Sequence, residues 1–245
     1  MGRMQGSTDQ APGHPEIVRL VAPNPGPMTL EGTNTYVYGE APAVVIDPGS
    51  RDPGHLDAIR GAARGGIDLV LITHSHGDHT DGADELGAEV VLPRGGEVHA
   101  GLRALATPGH AADHVVFLSE DGVCFAGDLV LGLGSTIVPP GGGSLAAYMN
   151  SLRALQAEEI ELIAPGHGPW VTEPAAKIAE YIEHREMRER GLLDALAAGE
   201  RSRAALLTEV WSDVPAPLLP MAAMAMEAHL EKLEEEGRLP EGMRE

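Results

Sequence analysis

The sequence predicts an α/β fold, a mixed sheet-and-helix domain followed by a small helical region, and three observations lead there. Leu69 to Ile72 is an apolar run of strand length, the pattern of a strand covered on both faces. Short strand-like runs alternate with helical stretches from Glu16 to Ile163. After Trp170 the texture changes to charged segments of helical period.

Taken in order, residues 1–14 are polar and rich in Gly and Pro and read as a disordered tail. Glu16 to Val21 reads as a strand, and Asn34 to Tyr38 with Ala43 to Ile46 as a hairpin pair joined through Gly39 to Pro42. Asp52 to Ala63 reads as a helix, Leu69 to Ile72 as a buried strand, and Asp81 to Leu86 as a short helix. Strands follow at Glu89 to Leu92, Leu102 to Thr107, His114 to Leu118 and Val123 to Phe125. Leu131 to Ser144 is a Gly-rich loop, and Ser144 suits the cap of a helix from Leu145 to Leu155. Ile160 to Ile163 is the last strand. Pro174 opens a charged helix to Leu196, and helices at Ser202 to Trp211 and Leu218 to Glu236 follow, the last stopped by Gly237. The expected division is therefore a core over 15–172 and a helical C-terminal region over 173–245.

A chain of 245 residues suits one large domain or one domain with an appendage. Aromatics are only 3%, so aliphatic side chains must fill the core. The formal charge of -20 repels polyanions at long range, so an anionic substrate would need a local positive centre such as bound metal. Cys124 is the only cysteine and sits in an apolar run, which excludes an internal disulfide and fits a buried thiol. There is no signal pattern and no apolar run of membrane-spanning length, so the expectation is a cytoplasmic protein without a membrane partner.

The chemistry is concentrated in histidine. Thr73-His74-Ser75-His76-Gly77-Asp78-His79 follows directly on a strand and carries three imidazoles and a carboxylate. Both groups are good zinc ligands. In extended backbone His74 and His76 point the same way, while Asp78 and His79, offset in a turn, can address a second point nearby. That spacing suits two adjacent ions better than one. Three further strand ends carry His110, Asp128 and His167, each beside a glycine that permits close approach. Ligands gathered at one sheet edge are the usual site of open α/β folds.

With these residues in place the sequence resembles the metallo-β-lactamase fold superfamily, whose fold is a four-layer αβ/βα sandwich. The resemblance implies one zinc on His74, His76 and His110, a second on Asp78, His79 and His167, and Asp128 bridging them. It implies a hydrolase whose nucleophile is a hydroxide shared by two zinc ions, with manganese or iron as alternatives at the second position. The ligand set is closer to the glyoxalase II and RNA-processing branches than to the true β-lactamases. Asn24 to Tyr36, Tyr148 to Leu152, Tyr181 to Arg185 and His229 to Leu239 resemble the lactamase-beta-like protein 2 group, which carries a winged-helix-like C-terminal domain. That group includes a single-strand endoribonuclease and thioesterases acting on carrier-bound polyketides. The chain stops soon after Leu239, which leaves little room for a full wing.

The resemblance leaves the supporting residues open. Asp78 is expected to be a ligand that also orients the nucleophile. His114 is the first candidate for protonating the leaving atom, with a supporting place beside the ligands as its alternative, and His184 is the second candidate. Asn34 and Asn150 are expected to line the substrate cleft. Asp47 reads either as a support of the ligand loops or as a turn cap. Met221, Met224 and Met226 read as helix packing, and Glu180 to Arg190 as a solvated, salt-bridged face. An ester or thioester is the favoured substrate. RNA is the alternative, opposed by the acidic balance of the C-terminal region. A closed, purely structural zinc site is the third reading, and an open seven-ligand pair argues against it.

Overall fold

The computed structural model of the chain describes residues 8–244. Two sheets lie at its centre. The first contains β1 (Thr8–Ala11), β2 (His14–Val21), β3 (Asn34–Tyr38), β4 (Ala43–Ile46), β5 (Ile67–Leu71) and β6 (Glu89–Val91), side by side in chain order. The second contains β7 (Val98–His99), β8 (Leu102–Ala106), β9 (Val115–Leu118), β10 (Val123–Gly127) and β11 (Leu162–Pro165), also neighbours in chain order. β1 to β4 pair antiparallel, whereas β4, β5 and β6 are parallel. The helix α1 (Pro53–Ala62) carries the chain from β4 to β5, and the single turn α2 (Gly77–Thr80) begins the return to β6. In the second sheet β10 and β11 are parallel, linked through α3 (Leu145–Gln156).

Strand parity builds the layers. Val44, Ile46, Leu69 and Leu71 face Val115, Phe117, Val123 and Phe125 of the other sheet and form the core between the sheets. Their neighbours Val45 and Val70 point the opposite way, against Leu56 and Ile59 of α1. In the second sheet Val116, Cys124 and Ile163 face outward onto Leu145 and Leu152 of α3 and Ile178 of α4 (Pro174–Ala197). The order is helix, sheet, sheet, helix. Central strands buried on both faces need apolar residues at every position, which is why they read as continuous apolar runs.

The C-terminal helices α5 (Arg203–Val210) and α6 (Leu219–Glu235) enclose a separate core with the end of α4, formed by Leu192, Leu196, Leu206, Trp211, Met226 and Leu230. α4 serves both units: Ile178 and Tyr181 belong to the core over the second sheet, and the appendage's own core starts only at Leu192. The expected boundary at 172/173 thus precedes a shared helix. Asp52 caps α1 by accepting from the His55 amide at 3.0 Å, and Ser144 caps α3 by accepting from the Ala147 amide at 3.3 Å. After Gly237, in place of a wing hairpin among the described residues, the chain returns to pair Arg244 with Ser202.

Two expectations are corrected here. The disordered tail does not extend over residues 8–14, which form β1 and begin β2. Asp9 ties this strand down, through Arg19 at 2.7 Å and the Trp170 indole at 3.1 Å; residues 1–7 lie outside the described residues. The helix expected over Asp81 to Leu86 is instead α2 followed by a 3-10 turn at Ala83–Leu86, because the Gly82 amide donates to Pro48 at 2.7 Å and breaks the run. β7, two residues long, carries no periodic signal to read. Among the described residues no helix is long and apolar enough to cross a membrane.

Candidate metal centre

Five strand ends meet at one edge of the sandwich. β4 runs into Asp47, β5 into Thr73 and His74, β8 into the loop of His110, β10 into Asp128 and β11 into His167. Two glycines make the convergence possible. A Cβ on Gly166 would stand 2.6 Å from Asp128 Oδ1 and 2.8 Å from His79 Cε1. Gly109, with φ +142, turns the His110 loop where a Cβ would meet Tyr148 Cα at 2.4 Å.

The seven expected ligands fall into three groups, of which that of His74, His79 and Asp128 overlaps the other two. His74 Nε2 and His110 Nε2 lie 2.9 and 3.0 Å from His76 Nδ1. Asp78, His79 and His167 form the second set, with His167 Nε2 and His79 Nε2 at 3.4 and 3.8 Å from Asp78 Oδ2. Asp128 stands between: Oδ1 is 3.4 Å from His79 Nε2 and 3.3 Å from His167 Nε2, and Oδ2 is 3.5 Å from His110 Nε2. His79 Nε2, His167 Nε2 and Asp128 Oδ1 are buried and have no hydrogen-bond partner. Orphaned buried donors or acceptors are costly in a native fold. Three of them aimed at one point fit a cation bound there.

The opposite side of four of the five rings is held. Asp47 accepts from the Thr73 amide at 2.8 Å and hydroxyl at 2.7 Å, and from His79 Nδ1 at 2.9 Å. Because the Thr73 hydroxyl donates to Asp47, it accepts from His74 Nδ1 at 3.0 Å, which leaves His74 Nε2 as the free lone pair. His110 Nδ1 donates to Ile137 O at 2.7 Å and His167 Nδ1 faces Gly32 O at 3.3 Å. Asp47 itself adopts φ +52, an uncommon conformation for a residue other than glycine, and its carbonyl accepts from Thr35, whose hydroxyl in turn faces His55 Nε2 at 3.0 Å. Asp47 is therefore a support of the ligand loops.

The electrostatics match this layout. Burial opposes ionisation of Asp128, yet the His79 and His167 rings hold its carboxyl well below the usual carboxylate range. Burial also opposes the His79 cation, but Asp47 and Asp128 outweigh it and raise the ring well above its ordinary value. His167 is raised to about 9: burial opposes its charge, and the neighbouring Asp128 and Asp78 carboxylates overcome that. His74 and His110 are lowered, chiefly by burial. The carboxylates thus demand positive charge at the Asp78, His79, His167 corner, while the other corner offers neutral imidazoles.

Three expected residues have other places. His114 is fully enclosed; Nδ1 donates to Thr107 Oγ1 at 2.8 Å and Nε2 accepts from the Asp128 amide at 3.1 Å. Burial lowers it to about 3. Both nitrogens are committed, so it cannot hand a proton to a leaving group, and the proton-donor expectation is corrected to a support of the Asp128 turn. Asn34 is also buried rather than in the cleft. Its amide donates to Pro165 O at 2.9 Å and Gly168 O at 2.8 Å, tying β3 to the His167 loop. Asn150 is exposed on α3 and faces a charged hollow between α3, α4 and α6, away from the ligands. His184 does line the cavity that opens from the metal centre, beside Arg188, whose Nε lies 3.4 Å from His184 Nε2.

That cavity, about 720 Å³, is floored by His76, Asp78, His110 and Asp128 and walled by apolar side chains. The sequence reading missed most of them. Leu133 lies in the Gly-rich loop, where an apolar residue between glycines was the available signal. Of the three methionines read as packing, Met226 is buried in the helical core, but Met221 and Met224 line the cavity. The charged face of α4 is likewise only partly solvated. Arg185 is buried and donates to Thr136 O and to Ser135 Oγ, and buried Arg188 pairs with Asp213 at 2.8 Å over the Trp211 ring. Tyr181 and Arg185 thereby fasten the 131–137 loop, whose Ile137 carbonyl orients His110.

A family model described as the metallo-beta-lactamase superfamily matches residues 28–99 and 89–167, and one described as the beta-lactamase associated winged helix domain matches 204–243. A beta-lactamase-like protein 2 homolog of Drosophila melanogaster is 32% identical over 264 residues, covering 91% of this chain and 89% of that one. An atrochrysone carboxyl ACP thioesterase of Aspergillus chevalieri is 38% identical over 217 residues, covering 78% of this chain and 68% of its own. The crystal structure of a metallo-beta-lactamase family protein from Thermus thermophilus shares the fold with a TM-score of 0.73 at 24% identity, over 91% of this chain and 94% of that one. With its four layers, its converging histidines and these matches, the chain belongs to the metallo-beta-lactamase superfamily of metal-dependent hydrolases, and it carries that family's associated winged-helix domain.

Proposed function

We propose that this chain is a dinuclear zinc hydrolase of carboxylic esters, with thioesters as its preferred class. The observation that carries the reading is that two ligand groups, His74 with His76 and His110, and Asp78 with His79 and His167, are linked by a third, His74 with His79 and Asp128, and that three orphaned polar atoms lie among them. His74, His76 and His110 would hold one ion and Asp78, His79 and His167 the other. Imidazole and carboxylate donors suit zinc. When bound, such a pair supplies Lewis acidity toward a carbonyl oxygen and activates water near neutral pH.

The chain's own residues provide the rest. Asp78 is the more open carboxylate, its side chain 31% exposed against 12% for Asp128, so it is the one that can orient a water entering from the cavity. Asp47, Thr73 and Ile137 hold the rings from behind and keep their tautomers fixed. The commitment of His114 favours thioesters: with that ring unable to donate, a leaving group that needs little protonation is preferred. A thiol of pKa about 8.5 leaves as its anion far more readily than an alcohol. The similarity to a protein named as a thioesterase supports the same class.

RNA is opposed by two features. The charge is -20, and the two arginines lining the cavity, Arg185 and Arg188, are already engaged with Thr136 and Asp213. The deciding assay compares acyl thioesters, alkyl esters, bis-phosphodiesters and single-stranded RNA on zinc-loaded protein. Turnover of thioesters above alkyl esters, abolished in His76→Ala, is the expected result. Cleavage of RNA or phosphodiesters with thioesters untouched would overturn the reading.

A further inference from the structure

From the lining of the cavity above the metal centre, we infer that the substrate's acyl part is a large apolar group, seated between the Leu133 loop and the winged-helix domain. This rests on the thioesterase reading for the bond that breaks, and adds the identity of what is attached to it. Large apolar side chains exposed to water usually lie scattered over a protein surface. Here Met28 is 48% exposed, Leu133 63% and Leu218 52%, and these three come from sequence-distant segments to line one cavity. Trp211, Met221 and Met224 complete the wall. None of the exposed three belongs to the hydrophobic cores. Removing them from water requires an occupant.

Continuity with the metal centre identifies that occupant. His76, Asp78, His110 and Asp128 form the floor of the same cavity, so a group lying along the wall has its reacting carbonyl at the ligands. A volume of about 720 Å³ falls in the range of small-molecule sites and exceeds what an acetyl group needs. The other arm of a biological thioester is polar and rich in hydrogen-bonding groups, and polar side chains of this wall are already engaged: Thr29 with Asn24, Thr136 with Leu129, Arg185 with Ser135 and Thr136, and Arg188 with Asp213. The apolar acyl arm matches the wall, and the thiol arm points out to solvent. Met28, Met221 and Met224 are flexible and polarizable, so the wall can adapt to a linear chain or to fused rings. In the reaction the acyl carbon gains the oxygen of water and the carbon–sulfur bond breaks, giving a carboxylate, a thiol and one proton.

The test has two readouts. The first is kcat/KM on zinc-loaded protein for N-acetylcysteamine thioesters of acetic, hexanoic, decanoic and 2-naphthoic acids. The expected result is a steep rise with acyl size, approaching about fourfold for each fully buried methylene before the cavity is filled. Leu133→Glu, at an exposed position that leaves folding intact, should lower the decanoyl-to-acetyl ratio by about tenfold or more. The naphthoyl and decanoyl arms show whether rings or chains fit better, and preference for either over acetyl supports the inference. The second readout needs no turnover. The chain has two tryptophans, and Trp170→Phe leaves Trp211 as the reporter. Decanoate or 2-naphthoate should change its emission saturably, and Leu133→Glu should weaken that titration. Thioester turnover indifferent to acyl size, with no response from Trp211, would overturn the inference and leave the hydrolase standing. A saturable Trp211 response with no thioester turned over would sink the thioesterase reading and uphold the apolar site.

Discussion

Asp47 organises the site from behind the candidate ligands. It sits at φ +52, holds the Thr73 amide and hydroxyl with both carboxylate oxygens, and reaches His79 Nδ1. Asp47→Asn keeps the size but replaces one acceptor by a donor facing His79 Nδ1. The expected outcome is metal affinity weakened by about 10- to 100-fold, read by competition with a coloured chelator. Unchanged affinity would make Asp47 an ordinary turn cap. The clustering of the seven candidate ligands was legible in sequence because a dense His-x-His-x-Asp-His segment and three glycine-flanked strand ends carry it. Asn34, His114 and Asn150 were misread for a related reason. Each is a polar residue whose position in the sequence does not tell whether its side chain meets substrate or backbone carbonyls. Asn34 and His114 turn inward to fill hydrogen-bonding needs of the ligand loops, and Asn150 faces a different hollow.

At the next level up, the strands and helices were read well where apolar runs were long and capped, as in β3, β4, α1 and α3. They were read poorly where a few long-range bonds decide the outcome, as in β1, held by Arg19 and Trp170, and the 81–86 turn, cut by Gly82. Two elements carry consequences for the site. The cap of α3 matters because the Ser144 amide also donates to Gly109 O at 2.9 Å, next to His110. Ser144→Ala should cost about 1 kcal/mol of stability, measured by urea unfolding of chelated protein. The C-terminal helices matter because α4 fastens the loop that orients His110. Leu206 is fully buried in their separate core, so Leu206→Ala should destabilise that unit by about 2–5 kcal/mol. Loss of acyl selectivity at temperatures where the sheet core is still folded would accompany it, and a single unfolding transition with unaltered selectivity would contradict the link.

For the molecule as a whole, buried neutral histidines set the acid limit. Burial lowers His55 to about 4, His114 to about 3 and His229 to about 3. The unfolded chain therefore binds more protons than the folded one between the ordinary histidine range near 6.5 and about 3 to 4. Their contribution is fully present above about pH 6.5 and is lost as pH falls toward the folded values, at up to about 1.4 kcal/mol per unit per ring. Stability of the metal-free protein should fall steadily from pH 6.5 to 4 in denaturant titrations. His229→Phe, which removes a buried ring without hydrogen-bond partners, should make that slope shallower. A flat profile would mean these rings take up protons in the folded state.

The proposed dinuclear centre stands or falls on metal content. Elemental analysis of protein purified without chelators, or reloaded with zinc and desalted, should find about two transition-metal ions per chain. His76→Ala and His167→Ala, at opposite ends of the ligand set, should each retain about one. Protein that holds none after reloading, or that keeps a full pair in both variants, would contradict the assignment of the two sites.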